Sequence, residues 1–314
     1  MGWQALLDRD QVPAIMGPTA TGKTALALWL AESLPVEIIS VDSALVYRGM
    51  DIGTAKPTAG ERARVPHHLI DILDPADSYS ASRFVADVRQ CVAEIRQRGR
   101  LPLLVGGTMM YFNALQHGLA PLPEADPELR AELTAQWQQD PHVLRAELER
   151  VDAEAAARIA PADPQRTIRA LEVYRLTGTP LSVLQRNTRP QVDFTLMKFG
   201  LIPARRQRLH QRIERRFRTM LAQGFEQEVR ALYTRGDLTP ELPAIRSVGY
   251  RQMWGYLAGE YDWDTMVHKG IVATRQLAKR QLTWLRKEAE MLCFDPYAQS
   301  METIGAAILQ RLNG

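Results

Sequence analysis

Residues Gly17-Pro18-Thr19-Ala20-Thr21-Gly22-Lys23-Thr24 spell G-x-x-x-x-G-K-[ST], a complete phosphate loop. The pattern is meaningful only between a buried strand and a helix N-terminus, so it constrains the fold on both sides. Val12 to Met16 reads as that strand, and Ala25 to Ser33 reads as a helix with good formers throughout. In such a setting the glycines let backbone N–H groups converge on phosphate oxygens, and the helix dipole adds a favourable field. Gly17, Thr19, Ala20, Thr21, Gly22, Lys23 and Thr24 are therefore the candidate ligands of a di- or triphosphate. Lys23 supplies a point charge, and the Thr24 hydroxyl can ligate Mg²⁺.

Strand and helix continue to alternate after the loop. Val36 to Val41 (VEIISV) is a second buried strand, ending at Asp42-Ser43. From Tyr79 to Arg98, Phe84, Val88, Cys91, Val92 and Ile95 fall on one helical face, and Leu101 to Val105 is a strand running into Gly106-Gly107-Thr108. The alternation predicts an α/β fold with a P-loop-type, mostly parallel sheet flanked by helices. Between Pro121 and Pro190, proline-marked breaks separate short helices rich in Ala, Leu, Glu and Arg. Asp163 and Pro164 read there as N-cap and first helical residue of a helix that stops near Gly178. Val192 to Ile202 returns to strand character, and the rest is mostly helical, with loops at Gly236–Pro243 and Gly259–Asp264. The expected organisation is a first part of the P-loop core over 10–120, a helical insertion domain over 121–190, and a return to the core with a basic helical C-terminal part over 191–314.

The formal net charge of +3 conceals an asymmetry. Residues 1–203 carry 21 basic against 24 acidic side chains, and residues 204–314 carry 18 against 12. The basic half suggests a polyanionic partner. Arg205 to Arg218 alone holds seven arginines and one glutamate, and Arg280, Arg286 and Lys287 follow. Arginine presents a fork suited to phosphate and stacks on bases, although a solvated helix surface has the same composition. Cys91 and Cys293 fit no metal spacing and read as buried thiols in a reducing compartment. No signal peptide or membrane span is expected, so the cytoplasm is the expected location.

The chemistry turns on which acid accompanies the loop. A nucleoside triphosphatase places a second acidic residue at the end of an apolar strand, where it holds Mg²⁺ or orients water. Leu101 to Val105 ends instead in Gly-Gly-Thr. The acid at a strand end is Asp42, on the sheet edge that lines the ligand crevice of a doubly wound fold. A catalytic base fits there, and so does a carboxylate that merely caps the next turn. Thr108 reads either as a second polar group of the site or as a simple turn hydroxyl. His67-His68 is no metal pair, because adjacent strand residues point opposite ways. Trp254, Trp263 and Trp284 read as packing residues.

From Ile39 onward, ISVDSALVYRGMDIGTAKP resembles the signature of the tRNA dimethylallyltransferases (tRNA isopentenyltransferases). Pro66–Asp71 (PHHLID), Val105–Tyr111 (VGGTMMY), Arg166–Glu172 (RTIRALE) and Ser247–Gln252 (SVGYRQ) resemble further segments of that family. The resemblance runs from about residue 12 to 290, and the lack of an appended Cys/His finger makes it one to the shorter bacterial type. It implies a dimethylallyl diphosphate donor, an acceptor amine on the adenosine 3′ of a tRNA anticodon, diphosphate as leaving group, and Mg²⁺. The phosphate loop would then grip a prenyl diphosphate in place of ATP, with Asp42 as general base and Thr108 across the same channel.

The resemblance also implies a tRNA surface: Asp42, Ser43, Ala44, Leu45 and Thr108; Arg130; Arg166, Thr167, Ile168, Arg169 and Ala170; Ser247, Val248, Gly249, Tyr250, Arg251 and Gln252; and Arg280, Gln281, Arg286 and Lys287. The expected partners are a tRNA anticodon stem-loop and the donor, with no membrane, and the chain is expected to be a monomer. Three other readings stay open on the residues alone. They are a P-loop small-molecule kinase with Asp42 activating an alcohol, a prenyltransferase acting on free adenine nucleotides, and an RNA-binding GTPase-like module.

Overall fold

The computed structural model describes residues 3, 4, 7, 10–186 and 188–313. The chain divides into two compact units, Met1–Gln116 with Val192–Gly314, and His117–Gln191.

In the first unit, strands β1 (Gln11–Met16), β2 (Val36–Val41), β3 (His67–His68), β4 (Leu101–Gly106), β5 (Thr195–Leu201) and β6 (Met291–Phe294) form one sheet in the order β3-β2-β4-β1-β5-β6. Every pairing is parallel. Its central strands β2 and β4 are buried at every position, without alternation, because both faces are covered, as parallel sheets require. Chain order reverses around β1, with β4 on one side and β5 on the other. The switch point therefore lies where the C-terminal ends of β1, β2 and β4 meet. The register aligns those ends: Met16 and Val41 both pair with Gly106. Gly17, Asp42 and Gly107 consequently emerge side by side.

The first helix, α1 (Lys23–Leu30), starts directly at Lys23 and not at Ala25, because Gly22 takes a left-handed φ of 87° and ends the loop. Leu26, Leu30, Ile15, Val105 and Phe199 share one apolar cluster with Ile308 of the last helix. After β2 come α2 (Ala59–Arg64), α3 (Ala81–Gln97) and, beyond β4, α4 (Met109–His117). A second apolar cluster joins the segment after β2, through Val46, Tyr47 and Met50, to Phe217, Phe225, Tyr250 and Met266. Those four side chains come from the C-terminal helices given below, so these helices form a wall over the mouth of the sheet.

In the second unit, α5 (Pro127–Gln139), α6 (Pro141–Val151), α7 (Ala153–Arg158), α8 (Pro164–Thr177) and α9 (Leu181–Arg186) surround Leu133, Leu144, Leu148, Leu171 and Val173. Four of the helices begin the same way. Asp126, Asp140, Asp152 and Asp163 each accept a backbone N–H of the first turn, three of them just ahead of a proline. Such caps contribute about 1 kcal/mol each and fix where each short helix starts.

Returning to the first unit, the C-terminal helices are α10 (Arg206–Ala222), α11 (Phe225–Tyr233), α12 (Tyr250–Leu257), α13 (Trp263–Leu285) and α14 (Met301–Asn313). The first expected loop extends to Gly249, and Asp262 caps α13 two residues earlier than the second expected loop would end. Strand β6 interrupts the expected helical C-terminal part: its four residues sit at the sheet edge, too short and too exposed to carry a pattern. For the same reason Cys293 is exposed and not a buried thiol, while Cys91 is partly buried. Trp254 is buried as expected, but Trp284 is 42% exposed and Trp263 36%. Among the described residues no helix is long and apolar enough to cross a membrane.

Candidate active site

The three aligned strand ends open into a cavity of about 420 Å³. One side is the phosphate loop. Ala20 (φ 67°) and Gly22 (φ 87°) are both left-handed, which turns successive amides of the loop toward a common point. The loop is braced from within and without. Thr21 Oγ1 donates to Pro18 O (2.8 Å), and Tyr297, beyond β6, donates its hydroxyl to Ala20 O (3.0 Å). From α13, Gln281 accepts the Thr19 amide (3.0 Å) and donates to Gly107 O (2.9 Å). Glycines are needed beneath this bridge. A Cβ on Gly107 would lie 2.5 Å from Gln281 Nε2, and one on Gly106 would lie 2.0 Å from Val41 O.

Lys23 and Thr24, the first residues of α1, line the cavity. Lys23 Nζ donates to Pro18 O (2.8 Å). Burial pushes its ammonium down to about 8; Arg216 adds repulsion, and Asp42 opposes both. Arg216 enters from α10, where Ile213, Phe217 and Met220 beside it also line the cavity. Burial holds the Arg216 guanidinium below its usual range, again opposed by Asp42. Among the described residues neither cation forms an ion pair. Two desolvated, unpaired positive charges beside convergent amides make a site for a polyanion.

Asp42 follows β2 at the rim of the same cavity. Its Oδ1 accepts the amides of Ala44 (2.8 Å) and Leu45 (3.4 Å), so the carboxylate does cap the turn. Oδ2 takes no hydrogen bond among the described residues. One oxygen is thus anchored and the other is left to accept a proton. Thr108 Oγ1 accepts the Ser43 amide (3.1 Å), and the Thr108 amide donates to Val41 O (3.2 Å). Thr108 therefore fixes the Asp42–Ser43 turn and is not among the cavity-lining residues. Ala44, Leu45, Ser247, Val248, Gly249 and Tyr250 join the cavity wall, while Arg251 is exposed and Gln252 caps the amide of Gly249 (2.8 Å).

The other expected RNA-contact residues are spread over both units. In the second unit Arg130 and Arg169 both grip Glu172 (2.7 and 2.6 Å), whose side chain is fully buried. These arginines satisfy an interior carboxylate. Thr167, Ile168 and Ala170 are buried, so any contact there falls to backbone, whereas Arg166 is exposed beside its cap Asp163. Gln281 is turned inward onto the phosphate loop, while Arg280, Arg286 and Lys287 on and just past α13 are exposed. The arginine run of α10 divides by helical phase. Arg216 turns into the cavity, Arg208 donates to Tyr297 O, Arg212 lies 5.0 Å from the Tyr297 ring centroid, and Arg218 pairs with Glu214. The spacing of Arg216 from Leu209, Ile213, Phe217 and Met220, all buried, is the sequence signal that separates it from its neighbours.

A family profile described as "IPP transferase" matches residues 45–288, and one described as "Isopentenyl transferase" matches residues 10–68. The chain is 56% identical over 310 residues to the tRNA dimethylallyltransferase of Hydrogenovibrio crunogenus, covering 98% of this chain and 96% of the relative. It is 59% identical over 281 residues to that of Methylococcus capsulatus, covering 89% and 90%. Among solved structures, the full-length tRNA isopentenylpyrophosphate transferase of Bacillus halodurans is similar with a TM-score of 0.70 at 39% identity, covering 97% of each chain. A eukaryotic dimethylallyltransferase acting on tRNA is similar with a TM-score of 0.80 at 26% identity, covering 96% of this chain and 77% of the other.

Proposed function

The chain belongs to the tRNA dimethylallyltransferase family, an enzyme family whose substrate is tRNA, and from that premise we propose how its cavity carries out the transfer. The donor is dimethylallyl diphosphate, held with its diphosphate on the loop amides, Lys23, Thr24 and Arg216. The acceptor is the exocyclic amine of the adenosine 3′ of the anticodon, extruded from the RNA loop into the cavity. The amine lone pair forms the N–C bond to the allylic carbon as the C–O bond to diphosphate breaks. The amine proton passes to Asp42 Oδ2. Thr108 acts as a positioning residue, holding the Asp42 turn through the Ser43 amide. The observation that carries this reading is the pair of unpaired cations, Lys23 and Arg216, flanking a phosphate loop that faces a free carboxylate oxygen.

Enzymes of this family typically need a divalent metal, which we read as Mg²⁺. The Thr24 hydroxyl, at the start of α1 in the cavity wall, fits a hard cation. Among the described residues no three His, Cys, Asp or Glu side chains converge as a protein-only metal site, so the ion would rely on the donor's phosphate oxygens, as Mg²⁺ commonly does. When bound, it neutralises charge on the departing diphosphate. The reading places the enzyme in the cytoplasm as a monomer.

The decisive experiment compares diphosphate release from dimethylallyl diphosphate with phosphate release from ATP or GTP, both with Mg²⁺ and tRNA. Only the first is expected, because β4 ends in Gly106-Gly107-Thr108 where a triphosphatase places its acid. Steady, tRNA-stimulated nucleotide hydrolysis would overturn the reading in favour of a kinase or GTPase.

Donor binding requires the protonated Lys23, whose ammonium burial pushes down to about 8. A phosphate's second ionisation lies at about 6, so the donor's own charge is constant above neutrality. Donor affinity should therefore be level up to about pH 8 and fall as pH rises further. An affinity independent of pH from 7 to 10 would remove Lys23 from the site.

Arg280 and Arg286 are exposed and carry no ion pair among the described residues. Replacing either by alanine should weaken tRNA binding and flatten the slope of log affinity against log salt by about 0.7–0.9 per lost phosphate contact. Unchanged slopes in both variants would return this helix end to a solvated surface.

A further inference from the structure

One part of the cavity wall is a single tight turn, Asp51 to Lys56, whose residues from Gly53 onward line the cavity. It resembles one turn of helix. Ala55 N donates to Ile52 O and Lys56 N to Asp51 O (2.9 Å each), and Ala55 closes it with a left-handed φ of 51°. Its first three amides, like those of any helix start, need an acceptor from outside. Glu228 of α11 supplies it. Oε2 accepts from Asp51 N (2.8 Å) and Ile52 N (2.7 Å), and Oε1 accepts from Gly53 N (3.1 Å) and the Tyr250 hydroxyl (2.5 Å).

Both groups bound by Oε1 belong to the cavity lining, and Tyr250 is fully buried. The packing is equally close. A Cβ on Gly53 would lie 2.2 Å from the Phe225 ring and 2.6 Å from Tyr250, so the turn rests directly on these rings. On the other side the buried Lys56 ammonium holds Tyr47 O (2.8 Å), Asp51 (2.6 Å) and Asp71 (2.5 Å). Lys56 anchors the turn to its own strand connection. Glu228 anchors it to the helical layer that also brings Arg216 into the cavity, since α11 follows α10 across Gly224.

We infer that Glu228 is a positioning residue for the transfer: its carboxylate holds the turn at 51–53 and Tyr250 in register, and so sets the spacing between that wall and the α10 face bearing Arg216. This rests on the cavity being the donor site. A carboxylate is required because it alone offers acceptors in both directions. Glutamine places an N–H₂ group against either two amides or an amide and a hydroxyl, and at least one donor goes unmet.

The test is Glu228→Gln beside Lys23→Ala. Glu228→Gln should raise the donor KM by about tenfold, the order expected when a charged acceptor of several hydrogen bonds is lost. The KM for tRNA should stay within about twofold, and hydrogen exchange at the amides of residues 51–53 should accelerate. Should that variant not fold, Tyr250→Phe removes one of the four bonds while keeping the ring, and should raise the donor KM about threefold. An unchanged donor KM in a folded Glu228→Gln or Tyr250→Phe, or equal losses for donor and tRNA, would overturn the inference. If Lys23→Ala also left the donor KM unchanged, the donor-site reading itself would fall.

Discussion

Replacing Asp42 by alanine is expected to slow the chemical step by about 10²–10⁴ while leaving tRNA affinity little changed, the pattern of a lost general base. An exocyclic adenine amine is a weak nucleophile because its lone pair is delocalised into the ring. Bond formation therefore gains from a base that takes the proton as the bond forms. Asp42 suits that task because its two oxygens are differently employed. Oδ1 is committed to the amides of Ala44 and Leu45, which fixes the plane of the carboxylate, and Oδ2 is left at the cavity rim. Asparagine is the sharper variant. It can keep the cap through its carbonyl oxygen and loses only basicity, so Asp42→Asn should fold and bind tRNA as the parent does yet turn over as slowly as Asp42→Ala. Single-turnover rates beside filter binding decide it. Near-normal turnover in Asp42→Asn would leave the carboxylate only its capping role.

The parts of this protein legible in the sequence are those set by local order. The phosphate loop is a contiguous pattern, and its strand and helix neighbours follow from the same residues. The aspartate caps of four helices in the second unit are written as Asp-Pro or Asp-Ala. Asp42 could be placed at the crevice because strand ends face it in any doubly wound sheet. What stayed hidden depends on partners far away in the chain. Gln281 reads as one more polar residue near the basic C-terminal positions, yet it reaches the loop amide of Thr19, 262 residues away. The pairing of Arg169 with Glu172 is visible as an i,i+3 spacing, but the second hold on that carboxylate, from Arg130, is not. Strand β6 has four residues and an exposed edge, too little for any period to register. Glu228 sits among ordinary surface-helix charges, and only the fold reveals the three amides above it.

Arg216 is the clearest such case, and its removal carries the second large effect. In the sequence it is one of seven arginines that together suggest RNA phosphates; in the fold it is the one turned toward the phosphate loop. Arg216→Ala should cost about 10²–10³ in turnover with the donor, the scale of losing one preorganised group that meets charge as it develops on a leaving group. The tRNA salt slope should stay as it is, unlike that of the Arg280 or Arg286 variants. The electrostatics supply an independent signature. Arg216 repels the Lys23 ammonium and helps hold it near 8, so its removal lets the Lys23 proton stay on to higher pH. The pH above which donor affinity falls should then move upward in Arg216→Ala, even as affinity at neutral pH drops. A surface arginine bound to RNA would do the reverse on both counts, lowering the salt slope and leaving the donor's pH dependence where it was. Donor binding measured from pH 7 to 10 in both proteins separates the two. A break that stays near pH 8 in the variant would place Arg216 outside the donor site.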